Sequence, residues 1–207
     1  MTTTSERRRR SDGERSRKTI LRTAANLATV DGLEGISIGN LAAHIGMSKS
    51  GLYAHFRSKE QLQLETVDTA LEIFNAQVVE PTEAISDPRE RLLALYDRFL
   101  GHVERRVFPG GCFFASVKAE FDTHPGPVKD KIAAIQEAWT AGLEQLIREA
   151  QAAGLLSASE DPAQLAFELD AYGLMANTGF VLNNDPAYLD HARVAIGRRL
   201  AGAARAS

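Results

Sequence analysis

Four side chains within seven residues can each donate a hydrogen bond: Lys49, Ser50, Tyr53 and His55. Leu52 and Phe56 supply the apolar face of the same short segment, so the four donors fall on its exposed side. An ammonium, a hydroxyl, a phenol and an imidazole suit a surface built of acceptors, such as phosphate oxygens and base edges. Lys49 and Ser50, at the start of the segment, are the candidates for base edges, with Lys suited to the acceptors of guanine. Gly51 lets the backbone approach closely. Tyr53, His55 and Lys59 are expected to reach phosphates, as are the Ser37 and Ser48 hydroxyls or the helix N-termini they cap. A helical hairpin that packs and binds nothing would show the same apolar pattern in Leu41, Ile45, Leu52 and Phe56.

The elements that must position these donors are three short helices. Ser37 caps the first, Gly46 turns the chain, Ser48 caps a very short second helix, and Ser58 begins a third. Helix, glycine-containing turn and short helix is the helix-turn-helix arrangement, whose second helix fits a major groove. Upstream, Ile20, Ala24, Leu27 and Ala28 repeat at helical spacing over Glu14 to Asp31, and Gly32 and Gly35 end that helix. Downstream, apolar stripes run through Val67 to Val78, Leu92 to Val103, Val128 to Leu146 and Leu165 to Ala176. Asp-Pro pairs at Asp87, Asp161 and Asp185, and Gly126-Pro127, mark helix starts; Gly154 is placed for a left-handed stop. No segment alternates as a strand would. The expectation is an all-α chain of about nine helices: a basic, disordered arm over 1–13, a DNA-binding helix-turn-helix domain over 14–60, and a larger helical domain over 61–207.

Composition narrows the class further. Of the 207 residues 44% are apolar and 25% charged, the balance of a folded globular protein. No stretch reaches the roughly 18 apolar residues of a membrane span, and the first twenty residues are charged where a signal peptide has an apolar centre. A cytoplasmic location with no membrane partner is expected. The single cysteine, Cys112, excludes an intrachain disulfide and a zinc finger. The net charge of −3 divides unevenly: residues 1–60 hold eleven Lys and Arg against six Asp and Glu, or +5, leaving −8 for the rest. A basic first part suits a polyanion. The run Arg7 to Arg10 either reaches a minor groove or raises non-specific affinity.

The run Leu41-Ala42-Ala43-His44-Ile45-Gly46-Met47-Ser48-Lys49-Ser50-Gly51-Leu52-Tyr53-Ala54-His55-Phe56, followed by Ser58-Lys59-Glu60-Gln61-Leu62, resembles the DNA-binding signature of the tetracycline-repressor (TetR) family. The motif resemblance covers residues 15 to about 65; the segment from Gly110 to Pro127 is similar to one subset of the family's C-terminal domains. The resemblance implies a ligand-binding and dimerisation domain after the DNA-binding module. It implies a homodimer formed by the last two helices, a palindromic double-stranded DNA operator, a small-molecule effector and, most commonly, repression. Gly39 and Asn40 depart from the pattern, standing where family members carry stronger helix formers, at a cost of about 1 kcal/mol in propensity.

Aromatic and soft residues gather in the acidic part: Phe99, Phe113, Phe114, Phe121, Trp139, Tyr172 and Met175, with Val103, Val117 and the polar His102. They form either a pocket for an apolar or aromatic molecule or a plain core. Gly173, Ala176, Gly179, Ala192, Ala195 and Gly197 either allow close approach of helices across a two-fold axis or pack within one chain. Cys112 is either a redox sensor or an inert buried thiol. Glu120, Asp122 and His124 lack a fourth ligand at metal spacing, so no metal and no cofactor is expected. The chain carries no glycine-elbow serine triad, phosphate-cradling loop or paired Glu-x-x-His motif, which leaves an enzyme without support. A protein-interaction adaptor would leave the exposed donors unexplained.

Overall fold

The structure, a computed structural model, describes residues 4–204. Nine α-helices and no strand occur among the described residues: α1 (Thr4–Asp31), α2 (Ile38–His44), α3 (Lys49–Tyr53), α4 (Lys59–Phe74), α5 (Pro88–Glu104), α6 (Phe113–Phe121), α7 (Pro127–Ala152), α8 (Pro162–Asn183) and α9 (Ala187–Gly202). A π-helical turn (Asn75–Val79) and a 3₁₀ turn (Glu80–Thr82) extend α4. Where an arm is expected, the backbone is helical from Thr4 onward and continuous with α1. Residues 1–3 and the side chains of Arg7 to Arg10 lie outside the described residues.

The boundaries follow from local chemistry. Ser37, Ser48 and Ser58 are extended residues whose hydroxyls accept from the N–H groups of Asn40 (3.0 Å), Gly51 (3.1 Å) and Gln61 (3.0 Å), so each of the three short segments starts with a satisfied donor. Asp87 accepts from Arg89 and Glu90 N–H at 2.8 and 3.0 Å, and Asp161 from Ala163 N–H at 2.9 Å, each ahead of a proline that has no N–H to satisfy. Asp185 serves α9 in the same way, accepting from Ala187 N–H at 2.9 Å. Gly154 (φ +73°) follows the end of α7, and Gly46 (φ +68°) makes the turn between α2 and α3.

Two apolar cores form. The first joins α1, α2, α3 and α4 to Phe108, to Phe113, Val117 and Phe121 of α6, and to Val128 and Ile132 at the start of α7. The second is built from α5, α7, α8 and α9, with Phe74 at the end of α4 and Val78 in the π-helical turn that follows. A boundary at residue 60 therefore falls in the first turn of α4, a helix whose side chains enter both cores. α6 also serves both, since Phe114 and Ala115 pack on the second core while Phe113, Val117 and Phe121 fill the first.

Candidate functional site

α3 is held from behind and free in front. Leu52, Phe56 and Leu41 are fully buried beneath it, and Lys49, Ser50 and Tyr53 are exposed, Tyr53 to 58%. Gly51 and His55 are half-buried. Ser48 Oγ lies 3.2 Å from Ser50 Oγ as well as capping the helix. Gly39, the family departure, has a use: a Cβ there would stand 3.2 Å from Lys49 Cε and 3.4 Å from its Nζ, so the glycine leaves room for the lysine to lie across α2.

Lys59 is placed differently from expectation. Its ammonium donates to the carbonyl of Glu34 at 2.6 Å and to Glu34 Oε1 at 2.8 Å, which ties α4 to the loop before α2. Lys59 and Gln63 together hold the Glu34 carboxyl below the usual carboxylate range. Two arginines in the basic first part also turn inward. Arg17 donates to both carboxylate oxygens of Glu65 (2.6 and 2.5 Å) and to the His55 carbonyl, with its guanidinium 4.5 Å from the centre of the Phe56 ring. Arg22 donates to the Val107 carbonyl at 2.6 Å and stacks over Phe108. The basic balance of residues 1–60 thus overstates the charge free to meet a polyanion. Arg17 clamps α1, α3 and α4 together, a role its place in an arginine-rich stretch conceals.

A cavity of about 730 Å³ lies among α4, α5, α6, α7 and α8. Phe99, Phe114 and Trp139 line it, joined by Phe74, Tyr96, Leu95 and Leu143. Phe74 is the hub of the aromatic wall, 5.4 Å from Trp139, 6.1 Å from Phe114 and 6.4 Å from Phe99, centre to centre. Lys118, Gln136, Trp139 and Asp170 form a hydrogen-bonded chain: Lys118 to Gln136 Oε1 at 2.6 Å, Trp139 Nε1 to Asp170 Oδ1 at 2.9 Å, Gln136 Nε2 to Asp170 Oδ2 at 3.4 Å.

The other expected pocket residues stand elsewhere, for definite reasons. Phe113, Val117 and Phe121 recur at i, i+4 and i+8 and fill the first core, on a face of α6 adjoining the one that carries Phe114 and Lys118 to the cavity. Val103 is buried in the second core, and Tyr172 packs on its edge. Met175 is 58% exposed. His102 is buried between Phe74 and Phe108, and neither ring nitrogen has a hydrogen-bond partner among the described residues. Burial first, then Arg105 and Arg22, lowers its pKa to about 4. Cys112 is buried and its thiol is pushed up by burial. Glu120 accepts from the Leu33 and Glu34 N–H groups at 3.1 and 3.0 Å; among the described residues no cluster of His, Cys, Asp and Glu is placed to hold a metal.

The small residues of α8 are spent inside the chain, as is Ala192 of α9, whereas Ala195 is half-buried and a Cβ on Gly197 meets nothing within 4 Å. A Cβ on Gly173 would press on Phe99 at 3.1 Å, one on Gly179 would overlap the Tyr188 ring at 2.1 Å, and Ala176 and Ala192 are buried. The outward face of these helices is apolar instead: Phe167 (69% exposed), Leu174, Met175 and Leu182 (79%) recur along α8, and Val194 adds to it from α9. No helix among the described residues is long and apolar enough to cross a membrane.

Comparison with known proteins decides the family. Residues 20–66 match the family model for bacterial regulatory proteins of the TetR family, and residues 88–196 match that for the tetracyclin repressor-like C-terminal domain. The chain belongs to the TetR family of transcriptional regulators. It is similar to the transcriptional regulator AcuR of Cereibacter sphaeroides, 25% identical over 183 residues, 86% of this chain and 82% of AcuR. A TetR transcriptional regulator from Chloroflexus aurantiacus J-10-FL superposes with a TM-score of 0.88 at 25% identity, over 95% of this chain and all of that one. AibR, solved with isovaleryl coenzyme A and operator DNA, superposes at 0.71 with 27% identity, over 88% of this chain and 96% of AibR. Its TetR relatives are transcriptional regulators, not enzymes.

Proposed function

We propose that this TetR-family regulator is a cytoplasmic repressor that binds a palindromic operator as a homodimer and is released by a small apolar or aromatic effector. The observation that carries the reading is α3: a capped helix with Lys49, Ser50 and Tyr53 presented outward over a buried Leu52 and Phe56. Lys49 and Ser50 meet base edges, Gly51 admits the DNA backbone, and Tyr53, His55 and the capping Ser37 and Ser48 meet phosphates. Lys59 reaches a phosphate only by exchanging Glu34, an exposed ion pair of small worth, about 0–1 kcal/mol. One such helix reads few base pairs, so a second copy one helical turn away, ~34 Å, supplies specificity. The exposed apolar face of α8, with Val194 of α9, is the surface that brings the second copy.

Transmission runs through α4 and α6. α4 begins beside α3 at Ser58 and ends in the cavity wall at Leu71 and Phe74. α6 offers Phe114 and Lys118 to the cavity while its Glu120 carboxylate holds the loop between α1 and α2. The Gly110 to Cys112 loop ties the same region to α1 and α8: Gly110 N–H donates to Thr29 Oγ at 3.0 Å and Cys112 N–H to Asn177 Oδ1 at 2.8 Å. An occupant that fits one arrangement of these helices better than another shifts the spacing of the two α3 helices, and only that difference in fit lowers operator affinity. A gel shift with the promoter region next to the chain's own gene tests the reading. Retardation at low salt, reversed by effector, supports it; no retarded complex with any neighbouring fragment contradicts it.

A further inference from the structure

The cavity walls specify the kind of molecule that fits, through the hydrogen bonds they leave unspent. Tyr96 is only 2% exposed, lines the cavity with its ring 6.5 Å from Trp139, and its hydroxyl has no partner among the described residues. A buried hydroxyl with no partner is rare and costly, and a group that arrives to meet it accounts for it. Lys118 spends one N–H on Gln136 and joins no ion pair among the described residues, which leaves two donors and a full charge. Arg91 likewise lines the cavity without an ion pair, its Nε buried and unpartnered.

Several acceptors of the lining are already engaged. Both oxygens of Asp170 receive hydrogen bonds, from Trp139 and Gln136, and Glu149 accepts from Gln145 at 3.0 Å. Lys131, the remaining cation, is held by Asp68 at 2.5 Å. Burial, and then the charge of Asp170, push the Tyr96 phenol well above its ordinary range, so it stays protonated and able to donate. The unspent donors of Tyr96 and Lys118 therefore call for an acceptor, and the Lys118 ammonium favours one with negative charge, beside a wall of Phe74, Phe99 and Phe114 that suits an apolar body.

We propose that the molecule this cavity takes is an amphipathic anion: an apolar chain or ring bearing a carboxylate or phosphate, with the oxyanion on the Tyr96 hydroxyl and the Lys118 ammonium and the apolar part against Phe74, Phe99 and Phe114. The inference rests on the cavity being the effector site. Trp139 is the single tryptophan of the chain and lines the cavity, so its fluorescence reports occupancy. The full chain is titrated with decanoate, decyl phosphate, decanol and decylamine, which share one alkyl chain and differ in the head group.

One of the two anions binds at least tenfold tighter than decanol, and decylamine binds most weakly; the better anion identifies the carboxylate or the phosphate as the source of charge. Tyr96→Phe and Lys118→Gln each erase fivefold or more of that preference while the thermal midpoint stays in place. Equal binding of decanol and both anions overturns the anion assignment and leaves the cavity reading standing; should either variant fail to fold, this ranking on the unaltered chain decides alone. Gly142 lines the cavity, and a Cβ there meets nothing within 4 Å, so Gly142→Leu narrows the space and weakens the binding of all the probes that bind. Affinities unchanged by Gly142→Leu, or no signal with any of the four probes, overturn the cavity reading and the proposal with it.

Discussion

Arg17 shows how much rests on single side chains behind the DNA-facing surface. Its replacement by Ala leaves the Glu65 carboxylate and the His55 carbonyl without their donor, and the loss is expected to cost about 1–3 kcal/mol of stability, read by urea denaturation. Lys49→Ala and Tyr53→Ala act in the opposite sense. Both side chains are exposed, so the thermal midpoint stays put while operator affinity falls about tenfold or more, with Lys49→Ala also relaxing sequence preference and Tyr53→Ala weakening all sequences alike, as anisotropy titrations would show. His102 carries a pH signature. Its folded pKa of about 4 lies below the ordinary 6.5, so between these values the unfolded chain binds the proton that the folded chain refuses, and stability falls as pH drops. Between pH 7 and pH 5 the loss from this residue is about 2 kcal/mol, and His102→Leu removes that part of the pH dependence in denaturant titrations.

At the scale of elements, the helices whose apolar residues keep to one stripe were legible from spacing alone. Their ends were legible from Ser37, Ser48, Ser58 and the Asp-Pro pairs, because a cap is a local interaction that the neighbouring residues determine. α6 was not, since Phe113, Phe114, Ala115, Val117 and Phe121 make it apolar on two sides, and periodicity cannot tell which side meets which core. For the same reason the aromatic list divided: Phe99, Phe114 and Trp139 reached the cavity, and Phe113, Val117 and Phe121 the other core. Small residues on α8 were ambiguous in kind, and Tyr188 and Phe99 turned out to occupy the space they leave. The outward stripe of α8 gives the element-scale prediction. Phe167→Glu combined with Leu182→Glu places charges on the expected dimer face, and sedimentation should show monomers that stay folded yet bind operator at least tenfold more weakly.

Across the whole molecule, the proposed coupling joins a cavity and a surface that share α4 and α6. Such coupling is reciprocal: if an occupant of the cavity lowers operator affinity by some factor, operator must lower the affinity of that occupant by the same factor. Trp139 fluorescence titrations with and without operator measure it, and unequal factors would show that the two sites are not linked through one equilibrium. Beneath all of this lies the claim that two α3 helices of a symmetric pair enter successive major grooves. Footprinting on the DNA beside the chain's own gene tests that most directly. The account predicts two protected half-sites, related by a dyad and centred about one helical turn apart or a multiple of it, that vanish with Lys49→Ala and Tyr53→Ala combined. A protected region without two-fold symmetry, or one unchanged by those substitutions in a folded protein, would contradict it.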